Sequence, residues 1–202
     1  MKCIVLNCTL KKSPETSHTQ VFCEDFIKEL EKHKVECELI RVVDYSVLPG
    51  IKDDEGEGDQ WPEIREKIGD SEILVMASPT WLGQHSSIAM RVIERMDAMF
   101  WDKDEDGRPP AYNRVAGFLA TGQSDGAKHT INEMVAALNE VGFTIPAQGW
   151  NYYNNGAGSG PGYAEAEPAR KKAVGEWSKR VAANLVAVAK ALKTNQIPPP
   201  PG

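Results

Sequence analysis

Residues 2–19 read KCIVLNCTLKKSPETSHT, and the order of residue types in this stretch decides the fold. The β-branched, apolar run at residues 2–6 reads as a short buried strand. It gives way to polar, turn-prone residues that end in Ser17 and Thr19, either of which can supply a helix N-cap oxygen. Beyond them Phe22, Phe26 and Leu30, with Cys23 and Ile27 alongside, recur at helical spacing. Strand, polar loop and helix thus follow one another within thirty residues.

The same alternation continues outward. Residues 36–43 (ECELIRVV) predict a second strand, and residues 48–60 (LPGIKDDEGEGDQ) an acidic, Gly-rich surface loop that cannot bury much apolar surface. A short helix over 62–68 leads into residues 72–77 (EILVMA), whose continuous apolar character suits a strand covered on both faces. Ile88, Val92, Met96 and Met99 mark one face of the next helix, and residues 114–120 (RVAGFLA) a fourth strand. Ile131, Met134, Val135, Leu138 and Val141 trace a further helix, residues 143–145 a brief fifth strand, and Trp177, Val181, Leu185, Val188 and Leu192 the last helix. Residues 195–202 form a Pro-rich tail, with 197–202 (IPPPPG) expected not to pack. Strands alternating with helices imply a parallel sheet covered on both sides, because right-handed crossovers leave few other topologies. The length favours one α/β domain over residues 1–194, a flavodoxin-like three-layer sandwich with a five-stranded parallel sheet of order 2-1-3-4-5.

Composition removes several function classes. Against 29 Asp and Glu stand 23 Lys and Arg, a net charge of −6 with no basic cluster, which argues against nucleic acid as a partner. No run of apolar residues is long enough for a membrane span or signal-peptide core, so no membrane partner and a cytoplasmic location are expected. Cys3, Cys8, Cys23 and Cys37 have no metal-ligand spacing and are expected as reduced, mostly buried thiols. Residues 102–107 (DKDEDG) match the opening of a calcium loop, but the twelfth position is Asn113 and Pro109 and Pro110 interrupt the exit, so a solvated loop is expected and no metal site.

In such a sheet ligands bind beyond the carboxyl ends of the strands, near the switch point between the first and third. Three segments reach that rim. Residues 7–19 bring Thr9, Ser13, Thr16, Ser17 and Thr19 with Lys11 and Lys12 to the start of a helix, where hydroxyls, free N–H groups and the dipole make an anion seat suited to a phosphate ester. Neither a P-loop nor GxGxxG is present. Residues 78–87 place Trp81 in a loop where its ring can stack on a planar heterocycle, with Pro79 and Gly83 shaping the backbone. Residues 121–129 (TGQSDGAKH) offer a small, polar, Gly-containing loop. Taken singly, each also reads as an ordinary capped helix, a packed aromatic or a surface turn. Residues 156–162 (GAGSGPG) follow no convincing strand and read as an active-site rim or connector rather than a phosphate cradle.

Together, LNCTLK at 6–11, SHT at 17–19, SPTWLG at 78–83 and TGQSDGAKHTINEMVAALNEVGFTIPAQGWNYY at 121–153 resemble the flavodoxin-like NADPH-dependent FMN reductase family, which includes NAD(P)H:quinone oxidoreductases. The likeness spans residues 1–153. It implies an FMN whose phosphate lies on Thr9, Lys11, Ser17, His18 and Thr19. It implies an isoalloxazine between Pro79, Thr80, Trp81, Leu82 and Gly83 on one side and Thr121, Gly122, Gln123, Asp125 and Gly126 on the other. Where the family often has Arg in the first loop and Ser-Asn-Thr at the helix start, this chain has Lys11 or Lys12 and Ser17-His18-Thr19. The implied reaction is electron transfer from NAD(P)H through FMN to a small quinone-like acceptor. In it the N–H groups near Gly122 and Gln123 face the N1/O2 edge of the flavin. His129 is the candidate proton donor to the acceptor, against simple capping or surface placement. His85 is a similar case, and Tyr152 and Tyr153 are candidates for the pocket wall. Related flavin reductases imply a homodimer or homotetramer, with the apolar end of the third helix (Met96, Met99, Phe100, Trp101) as part of the contact. The competing reading is a flavodoxin-type electron carrier, for which the acidic runs at 53–59 and 102–106 supply a docking face. A phosphoacceptor receiver shares the sheet order but needs an acidic cluster where this chain has Asn7, Cys8 and Ser78-Pro79.

Overall fold

The computed structural model of the chain describes residues 1–199. The last three residues of the expected tail, 200–202, lie outside the described residues. Five parallel strands, β1 (Lys2–Asn7), β2 (Glu36–Arg41), β3 (Ile73–Trp81), β5 (Val115–Thr121) and β6 (Trp150–Tyr153), lie in the order β2-β1-β3-β5-β6. The two-residue β4 (Gln84–His85) folds back antiparallel on the end of β3. Counting parallel strands alone, this is the expected 2-1-3-4-5 order.

Side chains alternate across the sheet, and each face owns a core. Ile4, Leu6, Leu74, Met76, Ala116, Phe118 and Ala120 meet α2 (Trp61–Gly69), α3 (Ser87–Trp101) and α4 (Ala127–Val141). Cys3, Val5, Ile73, Val75, Ala77, Val115 and Leu119 meet α1 (His18–Glu31) and α5 (Pro168–Thr194). β1, β3 and β5 are buried on both faces, which is why they read as unbroken apolar runs.

Three boundaries differ from the sequence expectation. The last strand is not 143–145. Phe143 is buried and Thr144 pairs with Val115 only as a single bridge, because Pro146 has no N–H to extend the ladder and the chain bulges before rejoining β5 at Trp150. β3 runs on to Trp81, four residues past the expected end, since Ser78 and Pro79 pair with Ala120 and Thr121 and Thr80 pairs with His85. Trp81 therefore stands on a hairpin, not in an irregular loop. Ile197, placed in a tail expected not to pack, lies against the α1–α5 core and donates its N–H to Asn113 Oδ1 at 2.6 Å.

The acidic segment 48–60 lies on the surface but is anchored from within. Arg95 of α3, fully buried, donates to Asp59 Oδ2 at 2.7 Å, to Lys52 O at 2.7 and 3.0 Å and to Leu48 O at 3.0 Å. Burial pushes the Asp59 carboxyl up, but Arg95 and the N–H groups of Glu55, Trp61 and Leu48 outweigh it and hold the group far below the usual carboxylate range. Arg65 bridges Asp53 and Asp102, and Arg108 holds Asp104 and Asp106.

Candidate functional site

At the carboxyl ends of β1, β3 and β5 a cleft of about 280 Å³ opens. Its first wall is the loop leading into α1. Asn7, buried at the end of β1, anchors both ends of that loop by accepting the Thr9 N–H at 3.1 Å and donating to Gln20 Oε1 at 2.7 Å. Arg41 donates to Glu15 O at 2.9 Å, and Ser13 donates through N–H and hydroxyl to Asp44 at 2.9 and 2.6 Å. Burial raises the Asp44 carboxyl, but the Ser13 bonds and the charges of Arg41 and Lys12 bring it below its ordinary range. Held in this way, the loop presents Thr9, Lys11, Ser17, His18 and Thr19 to the cleft.

Ser17 is the N-cap, its side chain accepting the Gln20 N–H at 3.2 Å. The N–H groups of His18 and Thr19 in the first turn have no intrahelical acceptor and add to the positive end of the dipole. Lys11 Nζ donates to Thr16 O at 3.1 Å and sits 3.2 Å from Glu15, so its charge is shared between the loop and the cleft. No carboxylate lines the cleft among the described residues. Hydroxyls, orphan N–H groups and one cation with no lining acid suit an anion.

The second wall is Pro79, Thr80 and Trp81. Ser78 beneath it donates to Pro79 O at 2.8 Å and accepts the Ser86 N–H at 3.0 Å, and Ser86 donates to Cys8 O at 2.5 Å, which locks the hairpin to the first loop. Trp81 keeps 52% of its surface exposed. The third wall is Thr121, Gly122 and Gln123. Thr121 and Thr19 share a hydroxyl hydrogen bond of 2.7 Å, joining the start of α1 to the end of β5.

Not every residue expected at the site reaches this cleft. Leu82, Gly83, Asp125 and Gly126 do not line the cleft. Leu82, at φ +50°, points wholly into solvent, and Gly126, at φ +94°, packs on Gly83 so closely that a Cβ would lie 2.8 Å from its Cα. The Gly122 N–H, expected at a ligand edge, is committed to Tyr153 O at 2.9 Å, which leaves Gln123 N–H as the donor available there. His129 does not line the cleft either: it stands largely exposed on α4, 3.5 Å from Glu133. That end of α4 packs beside β4, where His85 also approaches Glu133 at 3.6 Å. Tyr152 stays off the cleft, and Tyr153 is buried behind it, its hydroxyl donating to Pro161 O at 2.9 Å.

A fourth wall consists of Gly162, the last residue of the Gly-rich run that reads as a rim, and Tyr163, which the sequence reading misses. The Tyr163 ring lies 4.7 Å from Phe22 and 5.4 Å from Tyr153, and its hydroxyl donates to Asp25 at 3.1 Å. Burial, with Asp25 beside it, pushes that hydroxyl well above the ordinary tyrosine range, so Tyr163 is a wall and not an acid. Burial likewise raises the Cys8 and Cys23 thiols, which excludes them as nucleophiles at neutral pH. No cluster of three or more metal-ligating side chains occurs among the described residues, and no helix there is long and apolar enough to cross a membrane.

The sequence pattern of the family described as NADPH-dependent FMN reductase matches residues 1–158. The chain belongs to that family. The donor set fits the family's ligand: an anion seat at one end of the cleft, and an exposed indole facing a polar loop at the other. Among relatives of this FMN reductase family member, the 8-demethyl-8-aminoriboflavin-5′-phosphate synthase of Streptomyces davaonensis is 32% identical over 202 residues, spanning 96% of this chain and 79% of the synthase. The crystal structure of RosB with bound 8-demethyl-8-formylriboflavin-5′-phosphate superposes with a TM-score of 0.89 at 31% identity, covering 96% of this chain and 81% of that one. A stretch of 169 residues is 37% identical to the divalent metal cation transporter MntH of Mycobacterium bovis. It takes in 82% of this chain but spans only a quarter, 25%, of that relative. An NADH:FMN oxidoreductase, EMOB, shares the fold at a TM-score of 0.63 and 10% identity.

Proposed function

We propose that the cleft holds a flavin 5′-phosphate and that the chain uses it to carry electrons from NAD(P)H to a small quinone-like acceptor. The observation that carries this reading is the convergence of the α1 anion seat, Trp81 and the Thr121–Gln123 turn on one cleft free of carboxylates. A bound FMN supplies two-electron redox chemistry. The protein's part is positional: Thr9, Ser17, Thr19 and the first-turn N–H groups seat the phosphate, Pro79 and Trp81 cover one ring face, and Gln123 N–H faces the polar ring edge.

The test is direct. Purified chain titrated with FMN should gain bound visible absorbance, and the loaded protein should oxidise NADH or NADPH when a quinone is added. A chain that takes up no flavin overturns the reading.

A second reading, in which the flavin phosphate is substrate and not cofactor, is favoured by the synthase relative and by the RosB superposition. Mass spectrometry of the flavin recovered after turnover separates the two: an unchanged mass supports the cofactor role, an altered ring the substrate role. The carrier reading rests on a weaker acidic face than its sequence suggests, because Arg65, Arg95 and Arg108 pair with five of the nine carboxylates in 53–59 and 102–106.

A further inference from the structure

His18 is one anchor of the fourth wall, beside the Tyr163–Asp25 hydrogen bond and the Lys171 Nζ bond to Ala164 O. His18 Nδ1 accepts the Ala164 N–H at 3.3 Å, which requires an unprotonated Nδ1 and places the proton of the neutral ring on Nε2. The ring edge that carries Nε2 occupies the space a Cβ at Gly162 would need, and both residues line the cleft. Nε2 has no protein hydrogen-bond partner among the described residues. It therefore stands as an uncommitted donor beside the hydroxyls and first-turn N–H groups of the anion seat.

We propose that His18 is a two-sided positioning residue: Nδ1 pins the segment 162–166 against α1, and Nε2–H is presented to the phosphate of a bound flavin, so that phosphate binding and docking of the segment strengthen each other. This rests on the flavin reading above. An anion on Nε2–H polarises the imidazole and makes Nδ1 the better acceptor, and by linkage the docked segment tightens the anion by the same factor. Gly162 is the partner of the device, since any side chain there displaces the ring.

Amide exchange at Ala164, read on the full-length chain alone and with FMN or riboflavin, tests the coupling. FMN should slow this exchange about tenfold, the size of one charge-assisted hydrogen bond, while riboflavin, which lacks the phosphate, leaves it unchanged. His18→Asn keeps an acceptor at the Nδ1 position and nothing at Nε2. It should retain the protection seen without ligand, lose the gain from FMN, and bind FMN about tenfold more weakly with riboflavin affinity unaltered. His18→Gln keeps only the Nε2 donor and should do the reverse, exchanging Ala164 faster without ligand while still preferring FMN over riboflavin. Gly162→Ala should lose both. Equal Ala164 exchange in wild type and His18→Gln, or equal responses to FMN and riboflavin in wild type, overturns the proposal. Wild-type protein that binds no FMN sinks the flavin reading and the coupling together, whereas the ligand-free comparison judges the His18–Ala164 contact by itself.

Discussion

Trp81 is the residue whose position bears most on ligand affinity and least on stability. With half its surface in solvent on the β3–β4 hairpin, it contributes little to either core. Trp81→Ala should weaken FMN binding by about 1–3 kcal/mol, the range for loss of one ring stack, and shift unfolding free energy by no more than about 0.5 kcal/mol. Fluorescence titration and urea unfolding of the same variant check both halves. Thr19 shows the opposite balance: it caps nothing, and its hydroxyl, bonded to Thr121 at 2.7 Å, joins two walls of the cleft. Its neighbour Ser17 does the capping, as the sequence pattern allowed.

At the scale of elements, the start of α4 is set by a backbone that only glycine tolerates. Gly126 precedes the helix at φ +94° with Gly83 of the hairpin turn against it. Gly126→Ala should cost more than about 1 kcal/mol through left-handed strain and should push the hairpin away from the third wall. Lowered urea midpoint together with weaker FMN binding is the expected pair of results. The edge strand β6 is protected in a different way: Trp177 Nε1 donates to Trp150 O at 3.0 Å and Asn151 Oδ1 takes the Tyr152 N–H at 2.8 Å, so side chains occupy groups that would otherwise invite another strand.

At the scale of the whole molecule, the Asp59–Arg95 pair ties an acidic, Gly-rich segment to α3 and, through Trp61 beneath the guanidinium at 5.7 Å, to the core. Arg95→Met leaves a buried carboxylate without its partner and should cost about 3–5 kcal/mol. Because the folded pKa of Asp59 lies below its unfolded value, its stabilisation is complete well above roughly pH 3.9 and is withdrawn as pH falls below that point. Urea midpoints measured from pH 6 to pH 3 should fall in wild type and fall less steeply in Asp59→Asn. Of the residues that the resemblance places at a contact between copies, Met96 and Met99 are buried in the core, whereas Trp101 is 69% exposed at the end of α3. We propose that Trp101 takes part in a homodimer or homotetramer: light scattering should give two or four times the chain mass, and Trp101→Asp should lower it.

Periodicity and residue type, which are local properties, determined the sheet order, the helices and the two buried faces. The resemblance to the FMN reductase family, carried by short motifs at strand ends and helix starts, implied eleven of the residues found on the cleft. What the tertiary structure decided were the contacts between distant segments: that Gly122 N–H belongs to Tyr153, that His129 turns toward Glu133, that Asp59 finds Arg95, and that Gly162 and Tyr163 close the fourth wall against His18. The reason is geometric. A hydrogen bond between residues 18 and 164 depends on how the connection from β6 to α5 passes over the start of α1, and no pattern within either segment encodes that approach.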